Sequence, residues 1–547
     1  MDDNCWWITL ATDVNNNDGR CYFVKLFVDG SSLTIENVYQ VSMNNLEVAL
    51  SDDKGFRERL SKSREFLEDY IKKGYPVYGV TTGFGDSCHN QINYEKSEKL
   101  QHSLVSFHGI GLGKNFSREV GKAALLVRIN SNIRGYSAIR PVLADKMLEL
   151  LNHDIIPVIP ELGSVGASGD LTPLSYIAAC LMGERKVYYR GNIVSTKEAF
   201  EVEGIKPIKL QAKEGLAIMN GTSVMTAISA LNWRDAKKLA NISDFLTGAT
   251  IEVIGGNDVP YRKTVSKIKH HIGQIESAEY ITNVISSSNR VQRYEKLLER
   301  LGTIEDRTYK KTEVKIQDRY SLRCSPQING VLRDTLYFTK VFIENEINSS
   351  NDNPLIDAEN EIIYNSGNFY GGHICAANDY LRIALANIAD LSDKQVELLV
   401  DGKFNNLSEN LTPNLSANDE NKGLFHAFKA AQISVTALCS EINFMSGPVS
   451  IHSRPTESLN QDKVSLGTIS ARKLSEVIDL LYLQYSIHLL AVAQAMDLIG
   501  VEQFGSMSRK VYNEVREFSK FVNEDRALDH EVTSIANYLK NSVLFDD

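Results

Sequence analysis

Five long stretches in the second half of the chain constrain its fold more than anything else in the sequence. Residues 214–250, 328–350, 374–402, 424–446 and 467–500 each carry apolar residues at helical spacing, with polar loops such as 254–263 and 403–423 between them. Helices of this length must bury their apolar stripes on one another, so the pattern predicts a mainly α protein built around a central bundle of long helices. The most apolar stretch, 477–500, is interrupted by Asp479, Gln484, His488, Gln494 and Asp497. It reads as a buried bundle helix, not a membrane span.

The first part of the chain is smaller and mixed. Residues 1 to about 45 hold a β-prone run at 21–28, with a turn expected over Asn15–Gly19. A helix is predicted from Ser51 through Phe56, Leu60, Leu67 and Ile71, stopping at Gly74 before Pro76. Further helical patterns fall at 95–105, 117–131, 141–153 and 174–182. These features suggest a short β-rich segment (1–45), an N-terminal domain (46–210) and a helical remainder (211–547).

Charge and residue counts exclude several functions. The net charge of −10 and the lack of a basic run argue against nucleic acid. Seven cysteines, an odd number with no Cys-x-x-Cys pair, fit free thiols in a reducing compartment. The start Met1-Asp2-Asp3-Asn4 lacks a signal peptide's basic residues, so a cytoplasmic location is expected. Eleven histidines form no His-Glu-x-x-His or Cys/His cluster, and no metal or nucleotide is expected.

The chemistry concentrates at Gly163-Ser164-Val165-Gly166-Ala167-Ser168-Gly169-Asp170. Glycines around one serine let the backbone fold back on itself. The Gly169 amide nitrogen can then attack the Ala167 carbonyl carbon and close a five-membered ring. Loss of two waters, one from the Ser168 side chain, would leave an exocyclic methylidene carbon, an electrophile made by the chain itself. A serine-hydrolase elbow would need glycine at 170, where this chain has Asp170.

Extended through Leu171-Thr172-Pro173-Leu174, this stretch resembles the signature of the aromatic amino acid and histidine ammonia-lyases and aminomutases. These enzymes carry a 4-methylideneimidazol-5-one group (MIO), so the resemblance implies MIO formed from Ala167, Ser168 and Gly169. The resemblance runs from about residue 30 to about 540. It implies a helical core of the aspartase/fumarase kind, a homotetramer whose subunits share active sites, and an amino acid substrate.

Other motifs supply further site residues by the same resemblance. Tyr78, in Tyr-Gly-Val-Thr-Thr-Gly-Phe-Gly (78–85), matches the family's catalytic tyrosine loop. A phenol titrates near ~10, so as a base it needs positive charge or dipoles beside it. The glycines of this loop suggest a mobile lid. Within Gln317-Asp318-Arg319-Tyr320-Ser321-Leu322-Arg323, Arg323 is the candidate carboxylate clamp, since a guanidinium fork fits a carboxylate. Tyr320 lies on the same face if the stretch is helical and in the family sits beside the ring; Gln317 joins the substrate-binding set. Asn220 matches the asparagine that supports the ring oxygen, Asn353 one that helps hold the substrate carboxylate, and Phe369 an aromatic packed near the ring. Tyr370 departs from the family's His or Gln.

Two places bear on the substrate. Phe107-His108 aligns with the family's selectivity pair: Phe-Leu in phenylalanine lyases, His-Leu in tyrosine lyases, Ser-His in histidine lyases. Here Phe107 favours an aromatic ring and His108 offers a polar partner to a phenol. Gln461 stands where histidine lyases usually carry Glu, and Glu457 matches an acidic residue thought to receive the amine. Their spacing of four could place both on one helix face. The expected function is elimination of ammonia from an aromatic L-amino acid, tyrosine before phenylalanine, to give a trans-arylacrylate. A 2,3-aminomutase, a histidine ammonia-lyase and a catalytically silent scaffold remain as alternatives.

Overall fold

The computed structural model describes residues 25–312 and 314–546. Its long helices are Ser223–Ile254, Ser325–Ile347, Gly372–Val400, Lys429–Met445 and Gly467–Ile499, close to the periodic stretches. Strands among the described residues are short and pair in sheets of two or three. The turn expected at 15–19 and residues 21–24 of the β-prone run lie outside the described residues. Lys25–Val28 is a strand, paired in parallel with Glu47–Leu50.

Helices of the first part follow local signals. Lys54–Lys72 starts behind Asp53, whose side chain accepts the Phe56 N–H at 2.9 Å. Pro141–Asn152 has proline at its first position, where no N–H is missed. Ser97–Phe107, Arg118–Asn132 and Leu171–Leu181 lie where helical patterns were read.

One expected helix is two. The periodic stretch from 214 gives Glu214–Met219, breaks over 220–222 and resumes at Ser223. Gly221 takes φ +155°, and a Cβ there would strike the Arg128 guanidinium and the Asn351 side chain. Apolar periodicity continues through the break because both pieces are buried, so the pattern hides it.

The described chain forms two compact units, each assembled from three stretches. Of the described residues, the first takes in 25–231, Phe342–Cys375 and Ser450–Ala471; the second takes in 232–312, 314–341, Ala376–Val449 and 472–546. In the first, Leu67, Ile71, Val77, Val80, Ala138, Ala212 and Ile356 form a buried cluster. Val77 and Val80 thereby anchor the loop that carries Tyr78. The second has a large apolar core that includes Leu239, Phe245, Leu385, Ile388, Val477, Leu481 and Leu489. Gly467–Ile499 is long and apolar enough to cross a membrane, but 78% of its most apolar window is buried, as expected for a core helix.

Candidate active site

The turn at 163–170 is held where helices begin. Ser168 has φ +52° and Gly169 +72°, so the backbone reverses at the three residues that would close a ring. The Gly221 N–H donates to Ser168 O at 3.2 Å, and the Asp170 N–H donates to Gly221 O at 2.7 Å. Helix Leu171–Leu181 starts directly after the turn. Asp170 Oδ2 accepts the Met225 N–H at 2.7 Å, which caps the start of Ser223–Ile254. Its other oxygen takes hydrogen bonds from Thr468, at the start of Gly467–Ile499, and from Ser164. Three helix N-termini thus meet at one turn. Their aligned dipoles favour an electron-poor group there and the negative charge it gathers in reaction.

Burial pushes the Asp170 carboxyl up to about 6, and hydrogen bonds from Thr468, the Met225 N–H and Ser164 act against that rise. Glu346, bonded to Thr222, is pushed up to about 7 by burial. Arg128 is fully buried and donates to Asn220 O at 3.2 Å and Asn351 Oδ1 at 3.1 Å; burial lowers its guanidinium to about 10. Lys213 and Asp352 form a buried ion pair at 2.6 Å. Sequence reading missed this polar cradle, because its members are scattered charges in apolar helices and loops.

Asn220 stands in the break between helices. Its Nδ2 donates to Asn353 O at 2.8 Å, while Oδ1 is buried with no partner among the described residues. The reversed backbone, the helix starts and this unpaired oxygen beside the turn fit an MIO ring made from Ala167, Ser168 and Gly169.

A cavity of about 1090 Å³ opens over the turn, and residues of the first unit line it. Among them are Tyr78, Phe107, His108, Ala167, Ser168, Gly169, Asn220, Asn353, Phe369, Tyr370, Glu457 and Gln461. Eleven residues singled out from the sequence, together with Tyr370, therefore face one space.

Their local chemistry differs. Tyr78 Oη accepts the Gly85 N–H at 2.9 Å. Burial raises its phenol above the ordinary value, the Gly85 N–H holds it down, and the charges of Cys88 and Glu457 raise it further. Of the positive charge or dipoles expected to activate Tyr78, the described residues supply the Gly85 N–H dipole, and no cation is among the groups acting on it. His108 Nδ1 lies 2.9 Å from Leu104 O; a carbonyl only accepts, so Nδ1 carries the proton and Nε2 is an acceptor. Burial keeps this imidazole below its ordinary value and hence neutral, with the Leu104 carbonyl opposing and Arg185 assisting. Its ring packs on Phe107 at 4.3 Å. Asn353 Oδ1 accepts the Ser366 N–H at 2.7 Å, which leaves its amide N–H groups as donors. Gln461 Nε2 donates to Ser168 Oγ at 3.3 Å.

Glu457 and Gln461 do not share a helix face. Glu457, Ser458 and Leu459 have φ of 51°, 53° and 64°, and a Thr456–Gln461 bridge closes the turn. Nothing in the sequence announces three left-handed residues that are neither glycine nor asparagine.

Gln317, Tyr320 and Arg323 belong to the second unit. Tyr320–Arg323 is a single helical turn, with the Arg323 guanidinium 4.5 Å from the Tyr320 ring centroid, so the shared face is present. Tyr320 is 71% exposed. Arg323 Nε is buried without a partner among the described residues.

These features match known proteins along nearly the whole chain. The profile of the aromatic amino acid lyase family matches residues 33–517, and the chain belongs to that family. It is thus a carbon–nitrogen lyase-type enzyme of amino acids that uses the MIO group. A histidine ammonia-lyase of Alkaliphilus oremlandii (strain OhILAs) is 36% identical over 522 residues, covering 95% of this chain and 98% of the relative. Among solved structures, a tyrosine aminomutase from Streptomyces globisporus superposes with a TM-score of 0.89 at 33% identity, covering 94% of this chain and 97% of that one. The Pantoea agglomerans phenylalanine aminomutase gives 0.89 at 32%, covering 96% and 100%.

Proposed function

We propose that this enzyme eliminates ammonia from an aromatic L-amino acid, tyrosine before phenylalanine, giving a trans-arylacrylate. The observation that carries the reading is His108: its Nδ1–H is committed to Leu104 O, so Nε2 is the acceptor available to a phenol O–H in the cavity. A site built to bond a hydroxyl discriminates against substrates lacking it. Phe107 offers an aromatic face beside it, and neutral Gln461 suits a carbocyclic ring.

The remaining roles follow. Arg323 and Asn353 hold the carboxylate, Gln317 adds a polar contact to substrate, and Glu457 receives the amine. Tyr78 removes the β-proton, with Tyr320 beside the ring. Asn220 and Phe369 support the group built from Ala167, Ser168 and Gly169, which supplies the electrophile that turns the amine into a leaving group. Arg323 and Tyr320 act in a homotetramer in which another subunit completes the cavity; the exposed Tyr320 and the unpartnered Arg323 Nε support that assembly. The free state of Cys88, Cys180, Cys324, Cys375 and Cys439 suits a reducing cytoplasm.

Two rival outcomes have their own support. By relationship histidine is the better supported: the relatives matched along nearly the whole chain are histidine ammonia-lyases, and an imidazole N–H could also donate to His108 Nε2. The tyrosine and phenylalanine aminomutases among similar structures favour return of the amine to the β-carbon. A parallel assay with L-tyrosine, L-phenylalanine and L-histidine separates them. Coumarate with free ammonia is expected from tyrosine. Urocanate would make this a histidine lyase, and β-tyrosine in place of coumarate an aminomutase.

A further inference from the structure

Residues 83–90, which follow Tyr78 and include the turn Gly85–His89, are bonded mainly to themselves. The Gly83 N–H donates to Asn90 O at 3.0 Å, the Ser87 N–H to Phe84 O at 3.1 Å and the Asn90 N–H to Ser87 O at 3.0 Å. The Gly85 N–H donates to Tyr78 Oη. One bond leaves the neighbourhood: the Asp86 N–H lies 3.1 Å from both carboxylate oxygens of Glu457. Among the described residues, no other hydrogen bond carries 83–90 to a segment outside 77–92. Gly85 has φ +55°, and a Cβ there would strike the Glu457 carboxylate.

The other end of the contact is the strained Thr456–Gln461 turn. Consecutive left-handed residues persist where their surroundings over-determine them. Here the ends are tied by the Thr456 N–H to Gln461 O at 3.0 Å and the Gln461 N–H to Thr456 O at 3.3 Å. Its two long side chains diverge, Glu457 to the loop after Tyr78 and Gln461 to Ser168 Oγ.

We propose that Glu457 is a positioning residue that clasps the tyrosine loop to the turn touching Ser168, and so fixes Tyr78 relative to the electrophile. The inference rests on the proposed roles of Tyr78 and Ser168 and adds a task to Glu457 beyond meeting the amine. A carboxylate has lone pairs for both the Asp86 N–H and an ammonium, so loop position and amine binding share one group.

Hydrogen–deuterium exchange on the full-length protein without substrate tests the clasp, comparing wild type with Glu457→Ala and Glu457→Gln. Exchange at 84–90 should quicken about tenfold or more in Glu457→Ala, and should stay within about threefold of wild type in Glu457→Gln, which keeps an acceptor. In turnover, Glu457→Ala should lose kcat, and Glu457→Gln should recover part of it. Unchanged exchange in Glu457→Ala overturns the proposal, as does equal quickening in both variants. A raised KM with unchanged exchange would leave Glu457 as an amine contact alone and equally overturns the clasp. Because exchange is read without substrate, its result stands apart from the assay that decides which amino acid is used.

Discussion

The surroundings of Ser168 and the core of the second unit are both buried, but they are built by opposite means. Around Ser168, Arg128, Asp170, Lys213, Glu346 and Asp352 are placed among hydrogen-bond partners, and the backbone takes φ of +52° and +72° at 168 and 169. In the second unit the core is dominated by side chains such as Leu239, Ile388, Val477 and Leu481. His488 there sits between the hydroxyls of Thr250, at 2.9 Å, and Ser392, at 3.0 Å. Burial takes its imidazole down to about 3, so it stays neutral. Apolar packing gains stability from area removed from water. A polar cradle gains little net stability, but it holds dipoles and an unpaired polar atom in fixed directions. Reactivity is therefore expected from one region and stability from the other.

Substitutions in each region should separate these contributions. Ser168→Ala should lower kcat on the order of a thousandfold or more with circular dichroism and melting unchanged; near-normal turnover would contradict the role of Ser168. Tyr78→Phe should cost about 10²–10⁴-fold while the prosthetic group's absorbance persists. Leu481→Ala in the second core should destabilise by about 2–5 kcal/mol and leave kcat near wild type at temperatures where the fold holds, as thermal melting and kinetics would read. Glu346→Gln tests the cradle by pH. The folded Glu346 value, about 7, lies above its ordinary 4.5. Its contribution to stability is then complete below 4.5 and is lost as pH rises through 7. The glutamine variant should match wild type below about pH 4 and exceed it at pH 8 by on the order of 1–3 kcal/mol. The smallest effect is expected from His108→Leu, a shift of about tenfold in kcat/KM from tyrosine toward phenylalanine; an unchanged ratio would remove His108 from substrate choice.

Legibility in the sequence followed contiguity. The long helices were readable because their periodicity is local, and the Ala167–Gly169 turn and the Tyr78 loop because their parts lie side by side in the chain. Three features were hidden. The helix break at Gly221 left no gap in apolar periodicity, since both flanks are buried. The turn at 456–461 read as a helix because Glu457, Ser458 and Leu459 carry no mark of positive φ. The bond from Asp86 to Glu457 joins residues 371 apart, a pairing that no spacing rule reaches. Tyr78 shows a further limit: its motif suggested an activated phenol, yet burial and the charges of Cys88 and Glu457 push its proton affinity up. In the proposed assembly, activation must come with Arg323, with substrate or with another subunit.

The turn at 163–170 is expected to convert Ala167, Ser168 and Gly169 into an electrophile. Mass spectrometry of the peptide spanning 163–174, taken from the purified protein and from Ser168→Ala, tests it most directly. The wild-type peptide should lack two water molecules relative to its sequence, and the alanine variant, without the Ser168 hydroxyl, should not show this double loss. A wild-type peptide at the full sequence mass would contradict the claim, because the cavity would then hold an ordinary serine.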